Sequence, residues 1–417
     1  MSTTFELIDR CRCCGSDRLV EVLDLGDQPP ANSLRLPAEP RPSRIPLSVV
    51  FCDSCATCQL TATVNPTELF SDYVWVTGTA STTRAFSEVF CREVLNRWHS
   101  DQDKQSKEPG LVVEVASNDG TFLERFKERG WQVLGVDPAR NIARRAVAAG
   151  IPTVCEFFSP GTVERIRSAS GHADVVIARN VIPHVANTHE VLAAIGQLLH
   201  GGGLAVIEFH QAEAILRDLQ YDSIYHEHVF YFSLETLRSL CLAHDLYAFD
   251  VFESPLSGGA LVLLLSKESR TPSPQLVAHS RAESEARLNC LETWQSFGSQ
   301  ARSHSAALSR LIAERAEAGP VIGYGASARS STLLNSAAIS GEQVTAVIDR
   351  NELKHGCLTP GSDIPIVSFK EGSAFLRTAQ SLLLLAWNFE SEIVADVRRE
   401  GFAGEVLVPL PGEPRAI

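Results

Sequence analysis

The chain of 417 residues lacks several features, and each absence narrows what it can be. Long hydrophobic runs are missing: "ALVLLL" and "SLLLLA" have the length of a strand and fall well short of the ~20 residues that span a bilayer, so no membrane partner is expected. The opening "MSTTFELIDRCRCCG" has no basic segment followed by an apolar core. It does not read as a secretory signal, and the expected location is cytoplasmic. Basic charge is in deficit: 37 Lys and Arg face 50 Asp and Glu, for a net charge of −13. Affinity for a phosphate backbone rests on clustered cations, so nucleic acid is not an expected partner. Low-complexity tracts are confined to short loops, and 44% apolar with 21% charged residues is a globular composition. The length exceeds what one core serves and predicts two to three domains.

Cysteine, in contrast, is plentiful. Eleven thiols in a reducing compartment are poor disulfide candidates, so close pairs read first as metal ligands. Cys11 and Cys14 form one Cys-x-x-Cys knuckle and Cys52 and Cys55 another, separated by "QPPANSLRLPAEPRPSRIPL", whose prolines forbid a long helix. Two knuckles joined by a long excursion are the layout of a zinc ribbon with four thiolates on one tetrahedral ion. Cys13 and Cys58 lie off the pattern. A closed four-thiolate site has no open position, so this zinc is expected to fold a small domain and perform no chemistry.

After the helical stretch "TTRAFSEVFCREVLNRWHS" and the polar linker "DQDKQSKEPG", strands and helices alternate: "LVVEVASNDG", "TFLERFKERG", "WQVLGVDP", "ADVVIARNVIPHV", "VLAAIGQLLHGGGLAVIEF". Alternation of this kind predicts a doubly wound parallel sheet with its ligand at the carboxyl ends of the strands. A long helical region with few breakers follows from about 270 to Gly319. A second, smaller α/β unit then runs through "GPVIGYGASARSSTLLNSAAI", "VTAVIDR" and "SLLLLAW".

Two turns compete for a nucleotide. In the first, Glu114 to Gly120, a carboxylate stands at the strand end with Ser117, Asn118, Asp119 and a single Gly, and would repel a pyrophosphate but suit a cationic or zwitterionic ligand. Asp137 ends the next strand, where it can accept from two ribose hydroxyls, and Asn180 follows the third. The set suits S-adenosylmethionine. The second turn, Gly323-Tyr324-Gly325 to Ala328 with Asp349 after the next strand, matches the weak pattern G-x-G-x-x-A of nicotinamide cofactors. Arg329, Ser327 and Ser330 would equally hold the phosphates of a nucleotide-linked substrate. A further stretch, "YDSIYHEHVFY", sets Tyr225, His226, Glu227 and His228 side by side. Metal site, acid/base centre and ordinary surface segment are all open, although three adjacent side chains rarely converge on one ion.

Over nearly its whole length the chain resembles the three-domain sugar C-methyltransferases that act on nucleotide-linked 4-keto-deoxysugars in antibiotic and cell-surface sugar pathways. The pieces that carry the resemblance are "CRCCG", "CDSCATCQL", "DYVWVTGTAS", "EVASNDG", "GVDP", "RNVIPHV", "YDSIYHEHVFYFSL", "SGGA", "GYGASARSSTLLN", "VIDRN" and "AWNF", in one order. It implies a zinc domain over 1–70, a Rossmann-like methyltransferase domain binding S-adenosylmethionine over 71–265, and a Rossmann-like substrate domain without NAD over 266–417. It further implies catalysis at Tyr225, Glu227, His228 and His184, with Tyr73, Trp75, Ser257, Tyr324, Arg329 and Asn335 toward the substrate. A carbon beside a ketone must lose a proton before it can be methylated, so a base and donors for the enolate oxygen are needed. His228 is the expected base, Tyr225 and His184 the partners near the oxygen, and Glu227 an orienter. The chain departs from the family's usual pattern at Trp75, often Tyr, at Ser257, often His, and at Ala260, often Ser. Ser327 and Arg329 stand where Pro and Lys are usual.

A monomer or weak homo-oligomer is expected. The rival readings are methyl transfer to carbon, nitrogen or oxygen of a non-sugar natural-product intermediate, a nicotinamide oxidoreductase, and a zinc-ribbon interaction protein.

Overall fold

A computed structural model of the chain describes residues 5–100 and 109–417; most of the polar linker read from the sequence lies outside the described residues. The central sheet has seven strands in the spatial order Tyr247–Ser254, Ala260–Ser266, Leu199–His210, Ala173–Arg179, Leu111–Val115, Gln132–Val136, Thr153–Val154. All neighbours pair in parallel except Ala260–Ser266, which runs antiparallel to both of its partners. The first of these strands in the chain, Leu111–Val115, lies between the second and the fourth. That reversal of strand order opens a crevice at the carboxyl ends, where α/β sheets bind ligands.

Both faces of this sheet are covered, which is why its strands read as continuous apolar runs. Helix Ser81–His99 sets Phe90 and Trp98 against Phe122 and Trp131 on one face. Leu192, Ile195 and Leu237 fill the other.

The N-terminal residues build an antiparallel sheet of Leu19–Gln28, Ile45–Cys52 and Cys58–Leu60. Its fourth strand is not N-terminal. Phe230–Tyr231, directly after the His-Glu-His stretch, pairs with Cys58–Leu60, and Leu60 N donates to Val229 O at 2.8 Å. The C-terminal sheet runs Ile366–Val367, Val344–Ile348, Val321–Tyr324, Ser381–Leu384, Glu405–Val408, with Arg415–Ala416 antiparallel at its edge.

The long helical region expected up to Gly319 is two helices, Pro274–Glu285 and Leu291–Ala318. They part where Arg287 takes φ 53°, a left-handed conformation that no helix accommodates. The second helix joins the ends of the molecule, since Trp294, Phe297 and Leu308 share one core with Leu23 and Phe51 of the N-terminal sheet and with Leu333 and Val347 of the C-terminal unit.

Candidate active site

The two knuckles bring their sulfurs together. Cys11 Sγ and Cys55 Sγ are 3.6 Å apart, Cys14 Sγ and Cys52 Sγ 3.5 Å, and all four lie within 4.8 Å of one another. Thiolates at ~2.3 Å from a tetrahedral ion stand roughly 3.8 Å apart, so the donor set fits zinc. Each knuckle is closed by a left-handed residue, Gly15 at φ 72° and Ala56 at φ 59°, whose N–H reaches back to Cys11 O and Cys52 O at 2.8 Å. Gln59 Nε2 donates to Cys11 Sγ at 3.0 Å and would steady that thiolate.

The expected cofactor residues gather at the carboxyl ends of the central strands. Ala116, Asn118 and Asn180 all take φ 50°, and such strain in non-glycine residues collects where a site over-determines the backbone. Gly120, at φ 80°, leaves no room for a side chain, because a Cβ would stand 2.8 Å from Ile151. Asp137 holds the turn, its Oδ2 accepting from Asn118 N and its Oδ1 from Ala139 N, both at 2.9 Å. Burial pushes its carboxyl up, against those two bonds. Ser117 Oγ and Glu114 Oε2 are buried without a partner among the described residues, two unsatisfied oxygens in the turn read as the cofactor site.

Glu114 corrects one step of the sequence argument. It is buried beside Arg179 (3.4 Å), which Glu208 also holds at 2.8 Å, and burial pushes its carboxyl up to about 8. Its carboxyl faces Arg179 inside the protein and does not present to a ligand the unanswered charge expected of it.

Asn118 and Asp119 are also engaged otherwise than expected. Asn118 Oδ1 accepts from Thr77 N at 2.8 Å, and its Nδ2 donates to Trp75 O at 3.2 Å. Asp119 Oδ2 accepts from Gly78 N at 2.9 Å. The side chains thus pin the segment "DYVWVTG" across the mouth of the crevice. Asn141, through bonds to Tyr73 N and Tyr73 O, and Asn351, through Val74 O, hold the same segment from two other sides. Trp75 is left half exposed on it.

The stretch from Tyr225 to His228 is neither helix nor strand, and its side chains diverge. His228 Nδ1 lies 2.8 Å from Ser223 O. A carbonyl only accepts, so Nδ1 carries the proton and Nε2 of the neutral ring is free to accept, which it does from the Tyr225 hydroxyl at 2.7 Å. Burial, with His184 and His210 nearby, keeps His228 well below the usual histidine range and hence neutral. His184 packs edge-on against it at 4.7 Å between ring centres and is itself lowered to about 4 by burial.

Glu227 does not orient His228, contrary to expectation. Its Oε1 accepts from Asn32 Nδ2 at 2.6 Å and its Oε2 from the Tyr73 hydroxyl at 2.9 Å. Burial raises it to about 7. With Asn32, Tyr73 and Asp72 it lines a cavity of about 150 Å³. His226 turns away, its Nε2 3.2 Å from Ile45 O, so the three adjacent residues form no metal site.

Several substrate-side expectations are revised. Arg329 is bonded to Asp222 at 2.8 and 3.1 Å and is not available to a phosphate as the sequence suggested. Ser327 and Ser330 cap their own helix. Tyr324 is buried, its ring packed near Phe369. Asn335 donates to Ser331 O and Pro360 O, both at 2.8 Å. Ser257 takes φ 59°, and its carbonyl accepts from Arg329 at 3.3 Å. Asp349 accepts from Ala326 N and Asn351 N much as Asp137 does in its own turn, but Lys354 Nζ stands 3.7 Å from it and occupies the acid that the nicotinamide reading would give to a ribose.

The sequence reading missed Asn32 and Ser223. Asn32 sits in the Pro-rich excursion, which carries no periodicity. Ser223 acts through its carbonyl, which no residue type announces.

Comparison with known proteins agrees with this layout. Residues 11–70 match a zinc binding domain, 84–249 a methyltransferase domain and 255–411 a C-methyltransferase C-terminal domain. The chain is 32% identical to the C-methyltransferase NovU of Streptomyces niveus over 98% of its own length and 97% of that protein. A ubiquinone biosynthesis O-methyltransferase of Azorhizobium caulinodans is 31% identical over 28% of this chain and 48% of its own. Among solved structures, the magnesium protoporphyrin IX methyltransferase of Synechocystis PCC 6803 with bound S-adenosylmethionine is 12% identical, with a TM-score of 0.33 over 44% of this chain and 81% of that one.

Proposed function

Because the chain belongs to the zinc-containing, three-domain family of S-adenosylmethionine-dependent C-methyltransferases, we propose that it methylates a carbon beside the keto group of a nucleotide-linked deoxysugar. In this reading residues 1–70 hold the zinc, 71–265 the cofactor, and 266–417 close the substrate side. The observation that carries it is the Tyr225–His228 pair, in which a fixed tautomer directs a basic nitrogen at a phenol. A nitrogen nucleophile needs less help from a base, whereas a carbon acid needs a positioned one.

The proton leaves the substrate carbon toward this pair, with His228 Nε2 as its terminal acceptor. Burial keeps the ring neutral, so its Nε2 lone pair is unprotonated when the substrate arrives. His184, edge-on to the His228 ring, is the donor this reading gives the enolate oxygen as charge develops, since the single Tyr225 proton is engaged with His228. Glu227, held by Tyr73 and Asn32 and poised at about 7, forms a wall that can bind a substrate hydroxyl. When bound, S-adenosylmethionine supplies an electrophilic methyl group on a sulfonium. The segment carrying Trp75, pinned by Asn118 and Asp119, closes over it and keeps water from the enolate.

The test is to incubate protein and S-adenosylmethionine with a panel of nucleotide-linked 4-keto-deoxysugars in deuterated buffer and follow mass, with His228→Ala alongside. A gain of one methyl that the variant loses supports the reading. Deuterium uptake without methyl, dependent on His228, keeps the base and widens the panel. Neither, despite cofactor binding, overturns the sugar. A non-sugar natural-product acceptor then comes forward, which the engagement of Arg329 and the burial of Tyr324 already favour as second reading, since neither is free to grip a nucleotide.

A further inference from the structure

Asp222 has no part in the chemistry above, yet it is a buried carboxylate with three bonds. Its Oδ1 accepts from Arg329 Nη2 at 2.8 Å, and its Oδ2 accepts from Arg329 Nε at 3.1 Å and from Trp387 Nε1 at 2.8 Å. The guanidinium also lies over the Trp387 ring at 4.9 Å. Arg329 and Trp387 come from the C-terminal unit, whereas Asp222 belongs to the turn Tyr221–Ser223 that opens the His-Glu-His stretch.

The same turn is gripped twice more from beyond residue 300. Thr332 Oγ1 donates to Ile224 O at 2.9 Å. The Tyr221 hydroxyl donates to His304 Nδ1 at 3.0 Å, because His304 Nε2, 2.7 Å from Pro409 O, must carry the ring proton. Tyr221, Asp222 and Ile224 are thus all held by the C-terminal unit. Ser223, between them, has the carbonyl that receives His228 Nδ1–H.

We propose that Asp222 is a positioning residue of the reaction: its pairing with Arg329 sets the turn so that Ser223 O fixes the tautomer of His228. An ion pair whose only task was to join two units could stand anywhere along their boundary. This one stands one residue from the acceptor that decides which ring nitrogen is basic. Without that acceptor the imidazole can exchange tautomers, and Nε2 then loses the lone pair that faces Tyr225. The substrate-side unit therefore reaches the proton-transfer step without touching the reacting atoms. The inference rests on the reading of His228 as proton acceptor.

The test uses full-length, zinc-loaded protein labelled with ¹⁵N-histidine, with the His228 signals assigned by comparison with His228→Gln. Two-bond ¹H–¹⁵N spectra report the tautomer directly. The wild type is expected as the Nδ1–H form, and Asp222→Asn and Arg329→Lys as mixtures. Arg329→Lys keeps the charge and loses the fork. In both variants the rate of solvent deuterium exchange into the keto substrate should fall about 10- to 100-fold, with KM changed by less than about threefold, as for a displaced catalytic group. An unchanged His228 tautomer in the folded variants overturns the proposal, and so does a changed tautomer with an unchanged exchange rate. Should Asp222→Asn fail to fold, Arg329→Lys gives both readouts. Absence of exchange in the wild type with every keto-sugar overturns the substrate reading instead, and the tautomer comparison still decides whether Asp222 positions His228.

Discussion

Glu227 shows what burying an acid does to a single residue. The unfolded chain ionises this carboxyl near its ordinary value of 4.5, whereas the folded protein keeps the proton until about 7. The folded state therefore binds more protons between those values, and stability present below the lower value is lost as pH rises through the upper one, by about 3 kcal/mol for such a shift. Glu114 and Glu283, raised to about 8 and about 7, act in the same direction. Thermal melts should accordingly show Tm falling from about pH 6.5 to 8; at lower pH the buried neutral histidines His184 and His228, held below their usual range, act in the opposite direction. Glu227→Gln should flatten that slope, gaining on the wild type at neutral pH and not below 4.5. A parallel slope in the variant would contradict the burial account. Residues of this kind were only partly legible. The sequence marked Glu227 as chemical but could not say that its partners are Asn32 and Tyr73, because those arrive from two distant segments. A guanidinium such as Arg329 equally does not announce whether it will find a phosphate or an aspartate.

Among the elements, the short strand Phe230–Tyr231 matters most. It fastens the stretch proposed as catalytic to Cys58–Leu60, which in turn begins three residues after the zinc ligand Cys55. Zinc should therefore support activity from a distance. Removing it with a chelator is expected to abolish methyl transfer and leave S-adenosylmethionine affinity within about threefold, as binding calorimetry would show, since the cofactor crevice is built from other strands. Loss of both together would mean that the zinc holds the central sheet as well. Metal analysis should give one zinc per chain, and Cys52→Ser should reproduce the chelated state. The zinc set was legible because its spacing is local and its chemistry exclusive. The added fourth strand was not, since a two-residue strand has no alternation to read and its partner lies far back in the chain.

At the scale of the whole molecule, the first and last parts share a core under helix Leu291–Ala318. Gly298 on that helix lies against strand Leu19–Gln28 so closely that a Cβ would meet Val22 O at 1.9 Å. Gly298→Ala, ordinarily a helix-stabilising change, should here lower Tm, because helix and strand must move apart; an unchanged or raised Tm would count against the close packing. NADH should not bind, since Lys354 stands 3.7 Å from Asp349 and competes with a ribose for that acid. Fluorescence titration is enough to check this. Strand alternation made the two α/β units readable, and turn glycines located their crevices. Docking of the units was hidden, because contacts such as Arg329 to Asp222 depend on surfaces that only exist once both have folded.

The borrowed strand also bears on how the protein is born. A ribosome releases the four cysteines early, but the sheet that steadies the second knuckle lacks its last member until Phe230 and Tyr231 emerge much later. Until then the N-terminal sheet has one edge open, and the stretch proposed as catalytic seals that edge on arrival. Maturation of the metal domain and assembly of the active centre are then a single event in the life of the chain.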